Sequence, residues 1–298
     1  MAGVSPSTVS NVINGRTGKM SATTKERVLD CLATTGYRAN MVARNLVTGK
    51  SMLIGVCLPV LEANATQSDL LENNPFYHEF IDGVQRVLFG CGYECVIRGL
   101  DNDFKYLDWI QNRSLDGLID LGNLSDTVYE ELDKLGVPIV YADNYHDYGS
   151  GKDVIISDDK YGAYLATKHL LDLGHTNIGF VTSRVTDNGV DAERYKGYKQ
   201  ALTEYGVQQE FVYPTILDYP HGIEFGHTIV EDNLPITAVF CTADIVAAGI
   251  AHGVAERGKS VPNDYSIVGF DDIKMMQFIT PRLTTVRQKI FEKGSMCA

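Results

Sequence analysis

A chain of 298 residues with 44% hydrophobic and 21% charged residues has ordinary globular composition and room for two domains plus a small appendage. No apolar run approaches the length of a bilayer crossing, and no basic start leads into an apolar stretch with a cleavage site, so a cytoplasmic chain without membrane contact is predicted. The net charge of −12 argues against a polyanionic partner, but its distribution reverses that: residues 1–50 carry seven basic against two acidic side chains, leaving −17 on residues 51–298.

The chain opens with "AGVSPSTVSNVINGR". Ser5 is a helix N-cap, Pro6 fits the first helical position, and Val9, Val12 and Ile13 share an apolar face. Asn14-Gly15 ends that element. Ser21 caps a second helix with Val28, Cys31 and Leu32 at helical spacing, closed by Gly36. Ahead of the first helix, "AGV" reads as the end of another helix and the tight turn of a helix-turn-helix, with Gly3 supplying the turn. In such a unit the helix after the turn lies in the DNA major groove, which puts Pro6, Ser7 and Ser10 at base edges and Thr8 and Asn11 within reach of phosphates. A solvated basic arm without a partner is the alternative reading of the charge.

From Met52 onward, short β-rich runs alternate with helical stretches: "MLIGVCLP", a helix over about Tyr77–Phe89, "YECVIRG", "GLIDLG", "PIVYAD", "DVIISDD", a helix through "YGAYLATKHLLDLG", "NIGFVTS", and so on to "YSIVGFDD". This alternation predicts parallel sheets covered on both faces, in two Rossmann-like subdomains divided near Ser150-Gly151. Ligands in such folds sit at the carboxyl ends of strands. Asp271 and Asp244 close or follow strands, Arg194 starts a helix, and Phe76 and Tyr77 follow the first strand and its loop. Carboxylates and a guanidinium bind hydroxyl-rich ligands by paired hydrogen bonds, and an aromatic face packs on a sugar ring. For each alone, a helix cap or a surface ion pair reads equally well.

Enzymatic motifs do not assemble. "TGKS" at Thr48–Ser51 lacks the earlier glycine of a phosphate loop, where Arg44 stands. "HEF" at His78 has no second histidine one turn on, and no Gly-x-Ser-x-Gly elbow occurs. Cys91 and Cys95 form one Cys-x3-Cys pair without a second pair or nearby histidines, while Cys31, Cys57, Cys241 and Cys297 are scattered. Buried reduced thiols are expected, with no catalytic residue, cofactor or metal.

The stretches "AGVSPSTVSNVING", "ERVLDCLATTGYRAN", "MVARNLVTGKSMLIGVCLP", "NPFYHEFIDGVQ", "HLLDLGHTNIGFV", "ERYKGYKQAL", "VFCTADIVAAGI", "VPNDYSIVGFDD" and "TPRLTTVRQ", in this order, resemble the lactose-repressor (LacI/GalR) family of bacterial regulators along essentially the whole chain. The resemblance implies a helix-turn-helix head at 1–39, a hinge helix and linker at 40–50, and an effector-binding body at 51–298. The body would be of the periplasmic-binding-protein-like type, its N-subdomain about 51–150 plus 282–298 and its C-subdomain about 151–281. Relative to the family pattern the first helix and the C-terminal end are expected to be incomplete, leaving a head that binds DNA weakly and without sequence preference.

DNA contacts are implied at Ser5, Pro6, Ser7, Thr8, Ser10, Asn11, Asn14, Ala43 and Leu46, with Leu46 wedged into a minor-groove base step when two subunits meet on the operator; packing of Leu46 against the body is the alternative. Effector contacts are implied at Phe76, Tyr77, Arg194, Asp244 and Asp271. The expected partners are operator DNA, a carbohydrate effector and a second copy of the chain, in a repressor working by population shift. Ala243, where an amide or hydroxyl often precedes the aspartate, removes one polar ligand contact, and "VLEANATQSDLLENN" before Pro75 is an insertion that folds over the cleft or lies on the surface. A sugar receptor of the same body fold without DNA function is the rival.

Overall fold

The computed structural model describes residues 2–13, 15–18, 20–36, 49–59, 74–100, 106–122, 126–146, 151–185 and 187–298. The expected contacts at Asn14, Ala43 and Leu46, the hinge helix and residues 60–73 of the insertion lie outside them. The chain forms two compact units, Met1–Ser51 and Met52–Ala298.

In the first unit, helix α1 (Pro6–Ile13) packs on α2 (Ala22–Thr35). Ser5 Oγ accepts the Thr8 amide at 3.2 Å, and Ser21 Oγ accepts that of Thr24, also at 3.2 Å. Gly36 ends α2 in the left-handed conformation at φ 61°. Val12 and Val28 are the buried pair between the helices. The expected apolar face is narrower than the sequence suggested: Ile13 is 38% exposed and Val9 half-buried, while Val12 is buried.

In the second unit, β1 (Leu53–Pro59), α3 (Pro75–Cys91), β2 (Glu94–Leu100), α4 (Tyr106–Arg113), β3 (Gly117–Leu121), α5 (Asp126–Asp133), β4 (Ile139–Ala142) and β5 (Asp153–Ile155) make one subdomain. A second follows with α6 (Asp159–Asp172), β6 (Ile178–Thr182), α7 (Val190–Glu204), β7 (Phe211–Pro214), α8 (Tyr219–Glu231), β8 (Ala238–Cys241), α9 (Asp244–Glu256), β9 (Ser266–Asp271), a 3₁₀ turn (Lys274–Phe278) and β10 (Thr284–Arg287). Helix α10 (Ile290–Cys297) returns to the first subdomain and packs on α3. The two sheets run β2-β1-β3-β4-β5 and β7-β6-β8-β9-β10, with every pairing parallel. They are the same doubly wound order used twice, so each has its reversal of direction beside its first strand.

Strand pairing moves the subdomain boundary from where composition put it. Residues Asp153–Ile155, expected in the second subdomain, pair with β4 of the first sheet, and Thr284–Arg287, expected in the first, pair with β9 of the second. Gly151 stands just before β5 of the first subdomain, and Ser150 lies outside the described residues. The chain crosses at 156–158 and again at 288–289, where Ser157 Oγ donates to Gln288 Oε1 at 2.8 Å.

Period-2 alternation sends successive strand residues to opposite faces. Phe180 and Phe240 meet α6 and α7, whereas Val181 and Val239 meet α8 and α9. In the first subdomain Val56, Leu58 and Ile119 meet α3 and α10, and Cys57 and Leu118 meet α4 and α5. Gly83 and Gly294 let α3 and α10 touch backbone to backbone: a side chain at Gly83 would collide with the Phe291 carbonyl, and one at Gly294 with that of Phe80. All six cysteines are free, but only Cys57, Cys241 and Cys297 are the buried thiols expected; Cys91 is exposed.

Candidate functional site

The duplicated topology dictates where the body opens. At each reversal the loops leave β1 and β3, or β6 and β8, in opposite directions and expose a crevice at the strand ends. Pro59, Leu121 and Gly122 from the first sheet, and Ser183, Thr242 and Ala243 from the second, line one cavity of about 580 Å³ between the subdomains. That volume suits a small organic ligand.

Arg194 anchors the cavity wall. It lies in the second turn of α7 rather than at its start, 6% exposed, because four residues of first turn precede it. Its Nε and Nη2 both reach Asp159 Oδ1, at 2.8 and 2.7 Å, Nη1 donates to the Thr242 carbonyl, and the guanidinium carbon lies 3.8 Å from the centroid of the Phe270 ring. Burial pulls its pKa down, but Asp159, Asp271 and Asp191 hold it above the ordinary arginine value. Asp159 also accepts the Tyr145 hydroxyl at 2.6 Å, so the second subdomain's buried charge is tied to the segment that follows β4 of the first.

Asp271 ends β9 with φ 130°, a conformation that costs a non-glycine residue free energy and aims the carboxyl at the cavity. Its Oδ1 accepts Gln288 Nε2 at 2.8 Å. Burial pushes its pKa up to about 8, with Arg194 pulling down and Asp244 pushing up. Asp244, expected beside it as a ligand contact, does not line the cavity. As the first residue of α9 it is fully buried, taking the Ile273 amide at 3.0 Å and the Thr285 hydroxyl at 2.5 Å, over Gly269, where any side chain would strike its carboxylate. Burial raises its pKa to about 6 against those hydrogen bonds. It braces the loop after β9; the strand-end logic found the right end of the fold but not the direction of the side chain.

Phe76 and Tyr77 both line the cavity from the first turn of α3. Tyr77 is buried with its hydroxyl donating to the Pro59 carbonyl at 3.0 Å, so it presents ring rather than hydroxyl. Phe76 lies 5.6 Å from Lys293 Nζ. Ala243 is part of the wall and contributes no hydrogen-bonding side chain.

Four polar residues of this region were missed. Asp143 and Asp191 line the cavity, as does Gln288, while Lys293 is buried just behind it. Asp143 closes "PIVYAD" and so obeys the same strand-end rule as Asp271. Lys293 stands at an apolar position of its helix, three residues after buried Ile290 and four before buried Cys297, a spacing that marks a buried lysine. Asp191 and Gln288 carry no comparable signal.

In the first unit, Ser5, Pro6, Ser7, Ser10 and Asn11 are exposed and Thr8, one turn before Val12, is half-buried. Ser5 Oγ sits 2.7 Å from Ser7 Oγ and 2.9 Å from Thr8 Oγ1, a hydroxyl cluster at the start of a helix. Among the described residues no helix is long and apolar enough to cross a membrane, and no group of three His, Cys, Asp or Glu side chains could hold a metal ion.

Residues 1–40 match the family described as bacterial regulatory proteins, lacI family, and residues 167–298 match the periplasmic binding protein-like domain. Catabolite control protein A of Priestia megaterium is 33% identical over 302 residues, covering 99% of this chain and 87% of that protein. The regulator DegA of Bacillus subtilis is 31% identical, covering 99% and 86%. Among solved structures, a LacI family regulator from Enterococcus faecium with bound ribose superposes with a TM-score of 0.72 at 31% identity, covering 83% of this chain and 87% of that one. The lac repressor dimer bound to operator and the anti-inducer ONPF gives a TM-score of 0.82 at 25% identity, covering 99% and 87%. Matched in order at both ends and similar along its length to these regulators, the chain belongs to the LacI family of DNA-binding bacterial transcriptional regulators.

Proposed function

We propose that this regulator is a repressor that binds operator DNA as a homodimer and is released from or driven onto it by a small carbohydrate seated between the two body subdomains. The observation that carries the reading is the cavity at the strand ends of both sheets, with Arg194 and Asp271 buried in its wall and Phe76 and Tyr77 supplying aromatic faces. Ser5, Pro6, Ser7, Thr8, Ser10, Asn11 and Asn14 are the head's DNA contacts, and Ala43 and Leu46 those of the hinge. The bound ribose of the E. faecium relative and the operator of the lac repressor complex support the two halves of the reading.

A ligand touching both subdomains favours one of their relative orientations and shifts the population of DNA-competent dimers by its differential affinity. The rival, a sugar receptor without DNA function, is disfavoured by the +5 charge of residues 1–50 and their family match. The test is operator binding, followed by fluorescence anisotropy, with and without sugar. Arg194→Ala is expected to abolish the sugar response and leave DNA affinity within a few-fold. An unchanged response overturns the site, and a protein that binds sugar but no DNA at any salt concentration supports the rival.

A further inference from the structure

We infer that the cavity is built to reject anions: its ligand is an uncharged polyol, the phosphorylated form of the same molecule is excluded, and Asp191 is the discriminating residue. This rests on the reading of the cavity as the effector site.

The cations at the cavity are already taken. Arg194 gives Nε and Nη2 to Asp159 and Nη1 to the Thr242 carbonyl. Lys293 gives Nζ to Asp143 and, at 2.9 Å, to Gln288 Oε1. These two ion pairs balance one another, and two carboxylates remain. Asp191 has a serine hydroxyl, that of Ser183, as its hydrogen-bond partner, and Asp271 the Gln288 amide. Both line the cavity; burial keeps the Asp271 carboxyl protonated up to about pH 8, so the negative charge facing a ligand is that of Asp191.

Three helices, α3, α7 and α9, start at the cavity wall, and a helix N-terminus is by default a place for an anion. Each is already supplied from within the chain. Asn74 Oδ1 takes the Phe76 amide at 3.1 Å, Asp191 and Glu193 occupy the first turn of α7, and Asp244 is the first residue of α9. A phosphate entering here would meet carboxyl groups of the chain already placed at these helix starts, in a low-dielectric wall. The hydroxyls of an uncharged sugar instead donate to those same carboxylates. The −17 of residues 51–298 adds a long-range field of the same sign.

The test is calorimetric titration of the protein with a panel of aldopentoses, aldohexoses and disaccharides, each paired with its phosphate ester. At least one parent sugar is expected to bind, with its ester about 100-fold weaker, the direction that juxtaposed like charges impose. The isosteric substitution Asp191→Asn should shrink that gap to less than about 10-fold by weakening the repulsion. An ester that binds as tightly as its parent, or a gap unchanged in the variant, overturns the inference while leaving the effector site standing. If no member of the panel binds, the reading of the cavity as a sugar site falls, and the inference with it.

Discussion

Lys293 on α10 and Asp143 at the end of β4 form an ion pair with 5% and 9% side-chain exposure, Nζ to Oδ1 2.5 Å, and the same ammonium holds Gln288 on the second crossing segment. Through Gln288 the pair continues to Asp271, so a carboxylate from each subdomain hangs on one lysine that does not itself line the cavity.

Removing one partner of a buried pair leaves an uncompensated charge. Burial pushes the Asp143 pKa up and Lys293 is the largest influence pulling it down. Lys293→Met is therefore expected to destabilise the body by about 3–5 kcal/mol, and adding Asp143→Asn to recover most of that loss. Urea unfolding of the two single variants and the double variant measures the coupling; additive losses would show that the pair is not a unit.

Asp271 makes stability depend on pH. Its folded pKa of about 8 stands above that of an unfolded aspartate, about 3.9, so the folded state binds the extra proton across that interval. Stability contributed by this group is complete below the unfolded value and is lost as pH rises through about 8. Asp244, raised to about 6, acts in the same direction over a lower window. Asp271→Asn should flatten the fall in unfolding free energy between about pH 4 and 8, measured by urea titration at each pH. A wild-type protein whose stability rises steadily through that range would contradict the assignment.

Gly83→Ala is expected to cost about 1–3 kcal/mol or more, because the new methyl meets the Phe291 carbonyl, backbone that no rotamer change can move. Gly90→Ala, at an exposed position of the same helix with open space around it, is the control and should be neutral or slightly stabilising. Midpoints of chemical unfolding separate them.

Binding to DNA should be steeply dependent on salt. Residues 1–50 hold seven basic side chains, and each phosphate they neutralise contributes about −0.9 to the slope of log K against log salt. Leu46→Ala should weaken operator binding and reduce bending while leaving that slope unchanged, since a wedge carries no charge. Equal bending by wild type and variant would return Leu46 to the status of a linker residue.

The fold was legible because burial forces period on sequence. Strands buried on both faces, such as "GLIDL" and "IGFVT", read as apolar runs between turn signals, and helix ends carry caps such as Asn74 and Asp158. Subdomain membership was not, since it depends on which edge a three-residue strand such as Asp153–Ile155 finds, a non-local matter that composition does not encode. At the site, Arg194, Asp271, Phe76 and Tyr77 stand at the cavity because strand and helix ends converge there. Asp244 shares the same kind of position yet turns inward, and what turns it is the empty space above Gly269 and the Thr285 hydroxyl, two contributions from other strands. Sequence reasoning locates the rim of such a site more readily than the orientation of any one side chain on it.

The two crossings have a mechanical meaning. A connection pinned to its neighbour, as the segments at Ser157 and Gln288 are, resists twist between the subdomains more than a lone strand would. On the proposed reading of the cavity, a ligand beside these pins bears on the angle between the subdomains rather than on their twist. A small molecule can thereby drive a large displacement at the far ends of the subdomains, as a short lever arm near a door's hinge sweeps its outer edge.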